Sequence, residues 1–203
     1  GSVISLSSVT NLEAFDTPVV DYHRGNFLKH LRHLLLPQLK KNLPEIANQI
    51  KPHGKRVQSN AFIKFTDKDW GHWIKLHSHP FEGGVRLIMV SDKWVAPINN
   101  HNTLQDAIKE TGLENEFKQL ETDYNNYISN FPDFKALKFY DEIANREGCF
   151  VLQYYAYLTL PNTSSFYDET NTKNISLVIT EMYKFLVRLD ELKSKVWQFY
   201  KPT

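Results

Sequence analysis

Val57-Gln-Ser-Asn-Ala-Phe-Ile-Lys-Phe65, Gly71-His-Trp-Ile-Lys-Leu-His-Ser-His-Pro80 and Gly84-Val-Arg-Leu-Ile-Met-Val-Ser91 follow one another within about a fifth of the chain. In the second run Ile74 and Leu76 fall in one phase, while Trp73, Lys75, His77 and His79 fall in the other. The first run repeats the pattern, with Ala61, Ile63 and Phe65 set against Phe62 and Lys64. A period of two with one apolar and one polar phase is the signature of a strand whose sheet is covered on one side. The third run is apolar in both phases apart from Arg86, which suits a central strand. The spacing therefore predicts strands over 57–66, 72–79 and 84–91, with Trp94 to Ile98 as a short fourth strand or an extension of the third.

Working outward, Phe150-Val-Leu-Gln-Tyr-Tyr-Ala-Tyr-Leu-Thr-Leu160 is rich in aromatic and β-branched residues and stops at Pro161. It predicts a strand over 149–160 that rejoins the same sheet. Elsewhere the period is that of a helix. Phe27, Leu28, Leu31, Leu34 and Leu35 predict a helix over 21–36, capped by Asp21 and ended by Pro37. Residues 3–18 read as an extended arm, and Gln38 to Ile50 as a short helical piece with Pro44 in its first turn. Thr103 is placed to cap a helix through Glu110. Leu113, Phe117, Leu120, Tyr124 and Tyr127 predict a helix over 113–129, and Phe134 to Arg146 another over 134–146. Ile175, Val178, Ile179, Met182, Phe185, Leu186, Leu189, Leu192 and Val196 form one stripe of a long closing helix, 173–199, with Thr172 or Asn174 as its cap. The expected architecture is α+β: one domain over 3–203, a mainly antiparallel sheet packed with helices. Gly1-Ser2 reads as a tag remnant, and the chain as a piece of a longer protein.

At 203 residues and 41% hydrophobic, the chain has enough apolar surface for a full core. It shows no apolar run of the roughly 18–20 residues that cross a bilayer, so no membrane partner is expected. Cys149 is the single cysteine and excludes an internal disulfide framework. It reads as a small buried apolar residue, and the chain as intracellular. Net charge is +1, unevenly spread: residues 1–100 carry 13 Lys/Arg against 8 Asp/Glu, residues 101–203 carry 11 against 15. Seven of the eight histidines lie within the first 79 positions. A basic half points to an anionic partner. Glycine-rich nucleotide loops and nucleophile elbows are absent from the sequence, so no cofactor is expected and the balance leans against an enzyme.

The polar phase of the strand block carries the functional expectation. Trp73, Lys75 and His77 alternate on one strand, with Lys64 on the neighbouring strand and Lys55 and Arg56 in the basic turn that precedes it. Rings interleaved with cations on a sheet suit nucleic acid, the ring stacking on a base while the cations hold phosphates. Trp70, Trp73 and Trp94 are further candidates for the walls of a pocket for a flipped base. The expectation is a non-catalytic recognition domain for nucleic acid. A second is a protein-interaction or scaffold module, in which the same tryptophan-rich surface docks a protein partner or a second copy.

His77-Ser78-His79-Pro80 resembles the metal-binding His-x-His-Pro of the JAMM-type zinc isopeptidases, in which two imidazoles and a downstream aspartate hold zinc. Residues i and i+2 of a strand share a face, so both imidazoles can reach one ion. The positions of that family's serine and aspartate are Leu87 and Val90 here, and Asp92 stands two residues late. The resemblance implies a metal-dependent hydrolase only if His77, His79 and Asp92 converge.

Overall fold

A computed structural model of the chain describes residues 17–53, 60–65, 71–79, 84–94, 103–143, 150–159 and 163–200. Its elements, in order, are α1 (Thr17–Asn42), a 3-10 helix Pro44–Gln49, β1 (Ile50–His53), β2 (Asn60–Phe65), β3 (His72–His79) and β4 (Gly84–Trp94). There follow α2 (Leu104–Thr111), α3 (Glu114–Ile128), β5 (Phe134–Ile143), β6 (Phe150–Thr159), a 3-10 turn Thr163–Tyr167 and α4 (Glu169–Tyr200). The strands form one six-stranded sheet in the order β1-β2-β3-β4-β6-β5, every neighbouring pair antiparallel. The expected α+β architecture is what the chain adopts.

Burial alternates along β3 as the sequence alternates. His72, Ile74 and Leu76 are buried, and Trp73 and Lys75 are half-buried. Ile74 pairs with Met89 and Leu76 with Leu87, and Met89 and Leu87 pair in turn with Tyr154 and Ala156. All of these are buried, and they form the sheet's contribution to the core. Onto that face α4 lays its stripe, every residue of which from Ile175 to Val196 is buried. α4 packs in turn between α1 and α3. Tyr124 of α3, Tyr154 of β6 and Phe185 of α4 meet ring to ring, with centroids 4.6 to 6.2 Å apart, and so join helix layer to sheet. Where α1 crosses α4 the contact residues are small: Thr172, Ser176 and Thr180 are buried and bond back along their own helix. Gln38 and Asn42 of α1 donate to the hydroxyls of Thr172 and Thr180.

Several sequence expectations are corrected. The helix over 21–36 runs from Thr17 to Asn42 and passes through Pro37. Asp21 is therefore inside the helix rather than its cap, and residues 17 and 18 belong to it rather than to an arm. Pro18 sits in the first turn, where a missing N–H costs nothing. Interior Pro37 costs about 3 kcal/mol, but the apolar spacing continues beyond it to Leu39 and Leu43, both buried. At about 1.5–3 kcal/mol for each buried leucine, that burial outweighs the lost bond. Of the short helical piece expected over Gln38 to Ile50, the residues to Asn42 belong to α1 and Pro44–Gln49 is a 3-10 helix, after which the chain enters the sheet directly at Ile50. Thr103 does cap α2, accepting from the Asp106 N–H at 3.1 Å. α4 starts at Glu169, so Thr172 lies within it.

The largest correction is at 134–146. Its first ten residues form β5, the edge strand beside β6. Leu137 pairs with Tyr155 but Tyr140 with Gln153, so β5 holds one residue more than its partner between these pairs. That bulge breaks the period of two and leaves apolar residues at three- and four-residue spacing, which imitates a helix. The open edge of β6 decides the matter, because it supplies partners along the inner side of β5 before and after the bulge. Cys149, residues 3–16 and residues 95–98 lie outside the described residues.

Candidate nucleic-acid interface

The face of the sheet turned away from the helices can be read row by row from the register. In the first row Lys51 of β1 pairs with Lys64 of β2, while Trp73 of β3 pairs with Val90 of β4 and Val90 with Gln153 of β6. In the second, His53 pairs with Phe62, Phe62 with Lys75, Lys75 with Ile88, Ile88 with Tyr155 and Tyr155 with Leu137. In the third, Asn60 pairs with His77, His77 with Arg86, Arg86 with Tyr157 and Tyr157 with Lys135. Ile88 and Val90 are buried at the centre, while Trp73, Lys75 and Arg86 are half-buried around them. The result is a covered apolar centre flanked by a partly exposed indole, ammonium and guanidinium. Such a surface offers stacking and charge together.

Trp73, Lys75 and His77 thus occupy one strand of that face, with Lys64 on the neighbouring strand at a position of the same face. Lys55, Arg56 and Trp70 lie outside the described residues. Trp94 does not belong to the face. It is 1% exposed, packs tilted against the Phe117 ring of α3 with centroids 5.8 Å apart and donates its indole N–H to Ser91 Oγ at 2.8 Å. The cause is a second bulge: Ser91 pairs with Leu152 and Trp94 with Phe150, three residues against two. The extra residue turns Trp94 from the open phase into the core phase. It can wall no pocket for a base.

The proposed metal trio also comes apart. His77 pairs with Arg86 and His79 with Gly84, near one end of the β3–β4 hairpin. Asp92 lies at the other end, where its N–H donates to the Gly71 carbonyl at 2.8 Å. Six strand residues separate it from Arg86, roughly 20 Å, so no one ion is shared by His77, His79 and Asp92. Among the described residues no three His, Cys, Asp or Glu side chains are grouped to hold a metal.

Sequence reasoning missed a buried polar cluster at that far end. The His72 side chain is fully enclosed, and its Nε2 lies 2.8 Å from Asp190 Oδ1 of α4. Because the carboxylate accepts, Nε2 carries the proton. One turn on, Lys193 is 8% exposed and donates its ammonium to the Asp92 carbonyl. Burial holds the His72 imidazole down at about 4, helped by the Lys193 charge and opposed by Asp190. The cluster ties the end of the sheet to the last turns of α4. Its signal was present in the sequence: His72 shares the phase of Ile74 and Leu76, and Lys193 stands beside Leu192 near the stripe.

No described helix is long and apolar enough to cross a membrane. In comparisons with protein-family models, curated proteins and solved structures, nothing matches this chain.

Proposed function

We propose that the chain is a recognition domain that binds nucleic acid on the sheet face opposite its helices, with Trp73 and Lys75 at the centre. The observation that supports this most is the half-burial of Trp73 and Lys75 on neighbouring positions of that face, beside buried Ile88 and Val90. An indole held by its neighbours loses little freedom when a base stacks on it. Stacking contributes about 1–3 kcal/mol per base. His77 adds a polar contact on the same strand, and Lys64, Lys55 and Arg56 are assigned to phosphates.

The test is titration of the protein into fluorescein-labelled oligonucleotides, read by anisotropy from 50 to 200 mM salt. Affinity should fall as salt rises, since phosphate contacts release counterions. Trp73→Ala should weaken binding by about tenfold or more, while its circular dichroism at the assay temperature matches the parent. Lack of binding to any DNA or RNA at 50 mM salt refutes the reading. So does salt-insensitive self-association that Trp73→Ala abolishes, which would establish the face as a protein-docking surface instead.

A further inference from the structure

We infer that the ligand of this face is a single strand, lying diagonally across the sheet with a footprint of about four or five nucleotides; this rests on the reading above. The register sets the cations on a diagonal. Lys51 and Lys64 occupy the first row on β1 and β2, Lys75 the second row on β3, and Arg86 and Lys135 the third row on β4 and β5. The line thus steps one row along the strands from β2 to β3 and again from β3 to β4, and keeps its row at either end. Aromatic positions flank it on both sides: Phe62 beside Lys75, Trp73 one row before it, and Tyr155 and Tyr157 near Arg86. The acidic positions fall off the line. Glu142 pairs with Val151, one row before Tyr140 and at the far corner from Lys135, and Asp92 follows Ser91 at that same end.

This arrangement selects the form of the ligand. A duplex keeps its bases stacked inward, so aromatic positions on a sheet face have nothing to stack on, and no described element projects from this face to enter a major groove. A single strand exposes both phosphates and base faces, which matches alternating cations and rings. Its length follows from sheet geometry. Five strand spacings of about 4.8 Å and two rows of about 6.6 Å give a diagonal of roughly 27 Å. At roughly 6 Å for each nucleotide of an extended strand, that holds four or five, within the span of sheet-based single-strand sites.

The experiment is a length series of fluorescein-labelled oligothymidylates and oligouridylates, from two to twelve nucleotides, with a duplex of twelve base pairs, at 50 mM salt. Affinity should climb steeply to about five nucleotides and then level off, with the duplex bound at least about tenfold more weakly. Lys51→Glu and Lys135→Glu, at the two ends of the line, should each weaken the hexamer by roughly tenfold and leave the trimer less affected. A plateau at two nucleotides, a rise continuing beyond ten, or equal binding of the duplex overturns the single-strand path. In that case loss of binding in Trp73→Ala still upholds the face as the site. If no oligomer binds, the site itself is refuted along with the path.

Discussion

Acidifying the protein from neutral pH towards pH 4 should cost it stability through a single imidazole, His72. In the folded chain this ring has no access to water and donates from Nε2 to Asp190. Protonating it places a second positive charge near Lys193, the buried ammonium of the same cluster. The charged groups facing it are Asp190 and Lys193 from α4, with the Asp92 carbonyl holding Lys193 from β4. Burial, then the Lys193 charge, lower its pKa from 6.5 to about 4, against the opposing pull of Asp190. An unfolded chain binds the proton at the higher value and the folded chain only at the lower one. The stability associated with the neutral ring is therefore complete above about pH 6.5 and is lost as pH falls to about 4.

At about 1.4 kcal/mol per pH unit, the whole window is worth about 3 kcal/mol, and about 2.5 of it is gone by pH 4.5. With a urea slope of about 2 kcal/mol/M, this moves the unfolding midpoint by more than about 1 M. Other carboxylates and histidines titrate over the same range, so the informative quantity is a difference between two proteins. His72→Gln keeps an N–H donor for Asp190 but has no proton to gain. Urea unfolding of parent and variant at pH 7 and pH 4.5 should show the parent losing about 2.5 kcal/mol more than the variant. Equal losses in the two proteins refute the reasoning. So does an NMR titration in which the His72 ring protonates near its ordinary value while the fold is intact.

Two further predictions concern the same region. Gly71 has φ +72°, and a Cβ there would sit 3.2 Å from the Lys193 ammonium and 3.4 Å from the Asp92 carbonyl oxygen. Gly71→Ala should thus destabilise by about 1–2 kcal/mol in urea unfolding, and a variant as stable as the parent contradicts the backbone assignment. Lys193→Met should raise the pKa of His72, since the ammonium is one of the two influences holding it down. The same NMR titration reads this, and an unchanged or lowered value refutes it. The loss of oligonucleotide binding in Trp73→Ala and the footprint of about five nucleotides complete the set.

Much of the architecture was legible because its elements carry one undisturbed period. In β3 the pattern from His72 to Leu76 alternates without a break, and so does the burial. The stripe of α4 runs from Ile175 to Val196 without a fault. Misreadings came where a local rule met a tertiary one. Pro37 is a helix breaker by itself, but Leu39 and Leu43 have a core to enter. Phe134 to Ile143 carries a helical spacing, but the neighbouring strand accepts its backbone in spite of the bulge. Within the candidate site, Trp73 and Lys75 follow from alternation, whereas Trp94 is carried to the other face by one extra residue in β4. Such a residue leaves no mark in composition.

By itself, then, the sequence determined which residues can be strands with two different faces and which helix has one apolar stripe, since both are properties of a chain with its neighbours i+2, i+3 and i+4. Only the tertiary structure decided which sheet face the helices cover, and so where Trp73 and Lys75 meet water. It alone set the two bulges, the conversion of 134–143 into an edge strand, and the meeting of His72 with Asp190, which are 118 positions apart. Those features depend on pairings between distant segments, where an added residue or an available strand edge shifts the phase of everything beyond it.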